Sequence, residues 1–363
     1  MIFSQGISLI VNRFCHDAGR FSSEPVLDAA QIIIDAHHHL YDRPGNRYLY
    51  QEMLEDSLRG HDVRATVFVQ ARHAYLTTGP EHLRAAGETE YAAQTAAACD
   101  SGCSGLPRIC EAIVAHADLT LGDSVCSVLE AHIQAGSGRF KGIRMPLTWD
   151  QDASLLNPAY PTSSSLMQDK RFLQGFARLK NYGLSFDAWL FFHQIEQLVN
   201  LARKFSDTPI VLNHCGGILG TGKYRDRHSD VRNAWLSAIK KLSICENVMV
   251  KLGGLGMPLS GLGFDASPRS PDSVELANAW SPWFEPLIEI FGPSRCMFES
   301  NFPADKISYD YVTCWNAMKR ITKEASQEEK DALFWKSAAD FYKIDMGEPG
   351  TKHIPFARGS GSS

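Results

Sequence analysis

Eight short, β-branched apolar runs recur along this chain, at 32–35, 65–70, 108–116, 140–145, 184–191, 210–213, 248–251 and 296–299. Between most of them lie longer segments in which apolar residues return every three or four positions. In 124–133, for example, Val125, Val128, Leu129 and Ile133 fall on one helical face. Comparable patterns cover 165–182, 195–205, 231–242, 273–291 and 307–322. A final segment, 327–342, opens with Ser326 and has Glu329 three residues later, the pairing of a capping box. Strands alternating with helices require a parallel sheet, because each crossover returns the chain to the same edge. Eight such units favour an α/β fold of one kind, a single (β/α)8 TIM-type barrel with decorated loops.

The organisation follows from that count. The barrel is expected over 31–345, with an N-terminal extension at 1–30 and a C-terminal tail at 346–363. The first fifteen residues hold Arg13, no acid and only a short apolar stretch, too little to mark a targeting peptide. The Gly- and Pro-rich stretch 253–271 follows the seventh strand and reads as a long loop over the barrel mouth. A net charge of −5 argues against nucleic acid as a partner, and no apolar run approaches the ~20 residues of a membrane helix. Nine cysteines without C-x-x-C spacing, several inside apolar runs, fit free thiols in a reducing, cytoplasmic setting. The expected partner is a small-molecule substrate, with a homo-oligomer left open.

Barrel active sites lie at the C-terminal ends of the strands. After the first strand stand His37, His38 and His39, of which His37 and His39 point the same way on an extended chain. Two converging imidazoles can hold a metal or act as an acid/base pair. His214 follows the sixth strand, ahead of two glycines. Arg144 ends the fourth strand, where a guanidinium can clamp a carboxylate or a carbonyl oxygen. Asn301 ends the eighth, with Asp305 four residues on. Gln70, Arg72 and Tyr75 after the second strand and His193 after the fifth are candidate substrate contacts. Trp189, Trp280 and Trp283, with Phe191 and Phe192, could wall a ring substrate, the alternative being aromatic packing of the barrel.

The His37-x-His39 pair, Asn213-His214-Cys-Gly-Gly217 and Ser300-Asn-Phe-Pro303 resemble the amidohydrolase superfamily. Within it they are similar to the amidohydrolase-2 branch, which includes sugar lactonases and the 2-pyrone-4,6-dicarboxylate lactonase group. The likeness runs from about 32 to 343. It implies first-strand histidines that bind a divalent metal or the substrate carbonyl, and a strand-eight aspartate that takes a proton from water. His37, His39 and His214 match, whereas the aspartate position holds Asn301. An amide accepts no proton, so the base is expected elsewhere, in Asp305 or a histidine. The resemblance allows no metal or one zinc or manganese ion at His37 and His39, and the missing carboxylate turns the expectation towards none. Lys141 is out of phase with Arg144 and gives no reason to expect a binuclear centre. The function expected is hydrolysis of a small cyclic ester. The alternative is a decarboxylase or other lyase of the same branch, and a non-catalytic binding protein is a third reading.

Overall fold

A computed structural model describes residues 24–100 and 105–347. The segment Met1–Cys15, Cys103 and the tail from 348 onward lie outside the described residues. Eight parallel strands form one sheet in chain order: β1 (Ile32–His38), β2 (Asp62–Val69), β3 (Arg108–Ala115), β4 (Phe140–Ile143), β5 (Ser185–Ala188), β6 (Ile210–Leu212), β7 (Val248–Leu252) and β8 (Cys296–Phe298). Each is followed by its helix: α1 (Tyr50–Ser57), α2 (Ala86–Asp100), α3 (Val125–Ala135), α4 (Lys170–Leu179), α5 (Ile195–Lys204), α6 (His228–Leu242), α7 (Ser273–Phe291) and α8 (Tyr311–Ile321). The expected TIM-type barrel is therefore the fold. β3, β4, β5, β6 and β8 stop short of the ends of their apolar runs, whereas β7 extends one residue beyond its run. A short hairpin, Tyr41–Arg43 with Asn46–Tyr48, decorates the loop after β1.

The barrel closes through a side chain as much as through a ladder. Among the described residues a single bridge, His38 with Phe302, spans the seam, with Asn301 N–H donating to the His37 carbonyl at 2.9 Å and His39 N–H to the Phe302 carbonyl at 2.7 Å. Deeper in, the buried Asp35 carboxylate accepts from the Ser300 amide at 2.9 Å, the Ser300 hydroxyl at 2.6 Å and the Tyr311 hydroxyl at 3.0 Å. Burial pushes the Asp35 carboxyl up to about 6 even against those bonds.

Ile34, Ala36, Val67, Val114, Val211 and Met297 fill the barrel interior. A larger apolar layer packs the helices against the outside of the sheet, with Trp235 edge-on to Trp283 in it. The C-terminal segment Gln327–Tyr342 runs as an α-helix with a π-helical turn at Ala332–Lys336. Its last turn packs Ala338, Ala339 and Tyr342 against the interior cluster and so stops the N-terminal end of the barrel. The Ser326 cap and Glu329 bond reciprocally to each other's backbone, as the capping box requires. No helix among the described residues is long and apolar enough to cross a membrane.

Candidate active site

Strict alternation along β1 would send His38, not His37, to the side of Ile34 and Ala36. A register shift between Asp35 and His38 inserts one extra residue in β1 and reverses the parity. His37 and His39 therefore turn inward, with their Nε2 atoms 3.3 Å apart. His38 turns outward and bonds the Thr66 hydroxyl at 2.9 Å. His39 Nδ1 donates to the Val69 carbonyl at 2.7 Å, so its neutral ring presents an Nε2 lone pair.

His214 opens a tight turn after β6 with φ of +53° at His214 and +54° at Cys215. The turn closes because Gly217 lets the chain pass against Leu190, where a Cβ would lie 1.9 Å from the carbonyl oxygen. Across the barrel, a Cβ on Gly254 would meet His214 at 2.5 Å and one on Gly253 would meet Glu299 at 2.4 Å. The start of the long loop after β7 is thus a backbone wall on which both functional side chains lie.

Glu299, directly after β8, is the centre that the sequence reading missed. Its Oε1 accepts from His214 Nδ1 at 2.7 Å and from the His214 amide at 3.1 Å. Its Oε2 lies 2.9 Å from His37 Nδ1, without the alignment of a hydrogen bond. Burial pushes this carboxyl up to about 8, with Lys251 the largest opposing influence. Burial, with Arg144 and Lys251 nearby, holds His214 well below the usual imidazole range.

Two further charges meet below the histidines. The Lys251 ammonium lies 2.7 Å from Asp187 and 3.4 Å from His37 Nδ1. Asp187 also accepts from Asn213 Nδ2 and from the Tyr342 hydroxyl, each at 3.0 Å. All four side chains are fully buried. The readable signal was a charged residue inside an apolar strand, since a closed barrel leaves such a group only the interior or the rim.

A cavity of about 150 Å³ opens at the C-terminal mouth, walled by His39, Arg43, Arg144, Tyr160, Trp189, His214 and Asn301 among others. Arg144 donates to the Gln70 carbonyl at 2.6 Å and to His37 Nε2 at 3.2 Å. Trp189 stands edge-on to His214 at 4.7 Å. Of the other expected contacts, Gln70 accepts from the Tyr160 hydroxyl at 2.9 Å and lies behind the wall. Arg72 bonds the Ala159 carbonyl from an exposed loop, and Tyr75 is half-buried beside Glu88. His193 is placed differently from the expectation, in a turn beyond the wall and 3.0 Å from Asp150. That pairing suits a rim ion pair between loops.

Asp305 does not reach back as a free base. Its carboxylate is spent on three donors: Gly256 N–H at 2.9 Å, the Tyr309 hydroxyl at 2.5 Å and Asn301 Nδ2 at 2.7 Å.

The residues that could hold a metal ion are His37, His214 and Glu299, whose ligand atoms lie within 4.8 Å of one another. This differs from the expected His37/His39 pair, because the carboxylate turned inward one step before Ser300 was overlooked. Two imidazoles and a carboxylate form a donor set used by catalytic zinc, and Glu299 Oε2 keeps its lone pairs free of hydrogen bonds. The donor chemistry fits one divalent ion.

An amidohydrolase family profile, Amidohydro_2, matches residues 34–344. The chain is 32% identical over 330 residues to the uncharacterised protein y4mH of Sinorhizobium fredii, covering 86% of this chain and 98% of that one. It is 24% identical over 181 residues to the L-fucono-1,5-lactonase of Burkholderia multivorans, covering 50% of this chain and 58% of the lactonase. A crystal structure of a B. multivorans amidohydrolase with bound zinc superposes with a TM-score of 0.66 at 20% identity, over 86% of this chain and all of that one. That last likeness speaks for the fold alone. From the profile match and the y4mH alignment, both spanning nearly the whole barrel, it follows that this chain belongs to the amidohydrolase family.

Proposed function

We propose that the protein hydrolyses a small cyclic ester, one bearing a carboxylate or several hydroxyls. The observation that carries this reading is the Glu299–His214 pair, which leaves His214 Nε2 facing a cavity that Arg144 also lines. The carboxylate fixes the Nδ1–H tautomer, so Nε2 is free to take a proton. Arg144 and Arg43 on the same wall would hold the developing oxyanion and an anionic substituent. The lactonase relative supports the substrate class. In the reaction, a water oxygen bonds to the lactone carbonyl carbon and its proton passes to His214 Nε2. The carbonyl electron pair moves to the oxygen beside Arg144. The ring C–O bond then breaks, and the leaving alkoxide recovers the proton from His214. A divalent ion bound by His37, His214 and Glu299, zinc first because the related Burkholderia structure holds it, would take the place of the imidazole base, since it would occupy the His214 Nε2 lone pair and would itself supply Lewis-acid polarisation and a more acidic water.

The test is hydrolysis of aldono-1,5-lactones, L-fucono-1,5-lactone first, before and after chelation, with metal content measured. Ring opening of at least one lactone is expected. Release of carbon dioxide from a carboxylated aromatic, with no lactone opened, would transfer the protein to the lyases. His37→Ala and His39→Ala are each expected to lower turnover about a hundredfold or more, the scale of a lost acid/base or oxyanion donor. Circular dichroism should show the fold retained. Turnover within twofold of wild type in both would move the site elsewhere.

A pH profile checks the base. Because the folded-state pKa of His214 is depressed, the group stays deprotonated until the pH falls below the ordinary imidazole value. In kcat/KM, which reports the free protein, His214 is therefore expected to give an acid limb below about pH 6.5, the unperturbed histidine value, and loss of the Glu299 charge one near its raised value of about 8. A profile with neither limb would assign proton removal to another group.

A further inference from the structure

Asn301 stands where the family resemblance expects a carboxylate, and its surroundings give the amide a definite orientation. Its backbone is left-handed, with φ of +54°, and its N–H is tied to the His37 carbonyl at 2.9 Å. The Asn301 NH₂ donates to Asp305 Oδ1 at 2.7 Å, the direction an ionised carboxylate requires at pH above the value of about 7 to which burial pushes Asp305. Asp305 is itself locked by Gly256 and Tyr309 from the other side. The amide oxygen is thereby turned the opposite way. Oδ1 is buried, makes no hydrogen bond to any protein group, and belongs to a side chain on the cavity wall with His214. An acceptor buried without a donor is costly, and a ligand that supplies the donor removes that cost.

Resting on the hydrolase reading above, we propose that Asn301 is a catalytic residue whose Oδ1 holds the attacking water, and that Asp305 is the positioning residue that sets the amide. Water has two O–H groups, and its lone pair is aimed at a carbonyl carbon only when both are accepted. His214 Nε2 takes the first, whose proton is transferred as the O–C bond forms. Asn301 Oδ1 accepts the second, which stays on oxygen and leaves to solvent when the product acid ionises. The amide therefore orients without competing for the proton. A carboxylate at this position would face Asp305 across 2.7 Å, and Asn301→Asp should lose activity rather than gain it.

The experiment compares wild type, Asn301→Ala, Asp305→Asn and the double variant on L-fucono-1,5-lactone, with thermal unfolding as a check on folding. Asn301→Ala is expected to lower kcat about 10- to 100-fold with KM within twofold, the scale of one oriented hydrogen bond at the reacting atom. In Asp305→Asn the new amide can also donate, the Asn301 orientation is no longer dictated, and kcat should fall severalfold. The double variant should be no slower than Asn301→Ala alone, because Asp305 acts through Asn301. Unchanged kcat in Asn301→Ala, or a change confined to KM, overturns the proposal. So does full additivity in the double variant. A crystal structure of the wild-type protein decides independently of any substrate or variant. A water bonded to both His214 Nε2 and Asn301 Oδ1 is expected, and an amide with NH₂ turned to the cavity refutes the assignment. If no lactone is opened, the hydrolase reading fails by itself while the crystal still decides the Asn301 geometry.

Discussion

Glu299→Gln is expected to lower turnover about 10³- to 10⁴-fold with little change in Tm, the penalty seen when the carboxylate behind a catalytic imidazole becomes an amide. The carboxylate accepts from both the Nδ1 and the backbone amide of His214 through one oxygen. Gln can present its carbonyl oxygen to those donors only by pushing its NH₂ towards His37 Nδ1, which lies 2.9 Å from Oε2. The other orientation sets the NH₂ against His214 and favours the tautomer with Nε2 protonated, which cannot serve as base. Either way the site loses its negative charge beside the imidazolium that forms during proton transfer. Metal content measured on the same variant adds a second readout, since Glu299 is also in the candidate ligand set. A Glu299→Gln protein within tenfold of wild-type turnover would show that His214 is not the base.

Lys251→Met is expected to destabilise the fold by about 3–5 kcal/mol, because removing one partner leaves a buried charge uncompensated. Asp187, fully buried, would keep the Asn213 and Tyr342 hydrogen bonds but lose the ammonium at 2.7 Å. The double variant Lys251→Met/Asp187→Leu should recover most of that loss, since a well-packed apolar pair commonly replaces a buried ion pair at little cost. Urea unfolding of the three proteins measures both terms. A single variant within about 1 kcal/mol of wild type would mean that Asp187 is not carrying a charge that depends on Lys251. Tyr342 gives the network a further consequence. It comes from the last helical turn, so the C-terminal segment and the floor of the active site are parts of one buried cluster.

Much of this architecture is legible in the sequence. The eight apolar runs coincide with the eight strands, and the helical periodicities with the helices, because both signals are local: a strand buried on both faces must be apolar, and a helix on its surface must alternate with period 3.6. The His37-x-His39 pair, His214, Arg144 and Asn301 were readable for a related reason, since polar groups at the ends of apolar strands stand out. Boundaries were less secure. The fifth strand stops at Ala188 although the apolar run continues to Phe191, because Phe192–Gln194 turn to cap the following helix.

The order of elements and the polar positions at the barrel mouth were thus determined by the chain's own pattern of apolar spacing. Which of those positions act together was decided only in the tertiary structure. The extra residue in β1 chooses the face of all three histidines, and it shows only when β1 is laid against β2. The role of Glu299 depends on His214, 85 residues away, and that of Lys251 on Asp187, 64 residues away. Asp305 became a support for Asn301 because Gly256 and Tyr309 reach it first. Periodicity reports whether a side chain is buried, through the free energy of removing it from water. It carries no information about which buried polar group lies opposite, because that partner is brought there by the closure of the barrel.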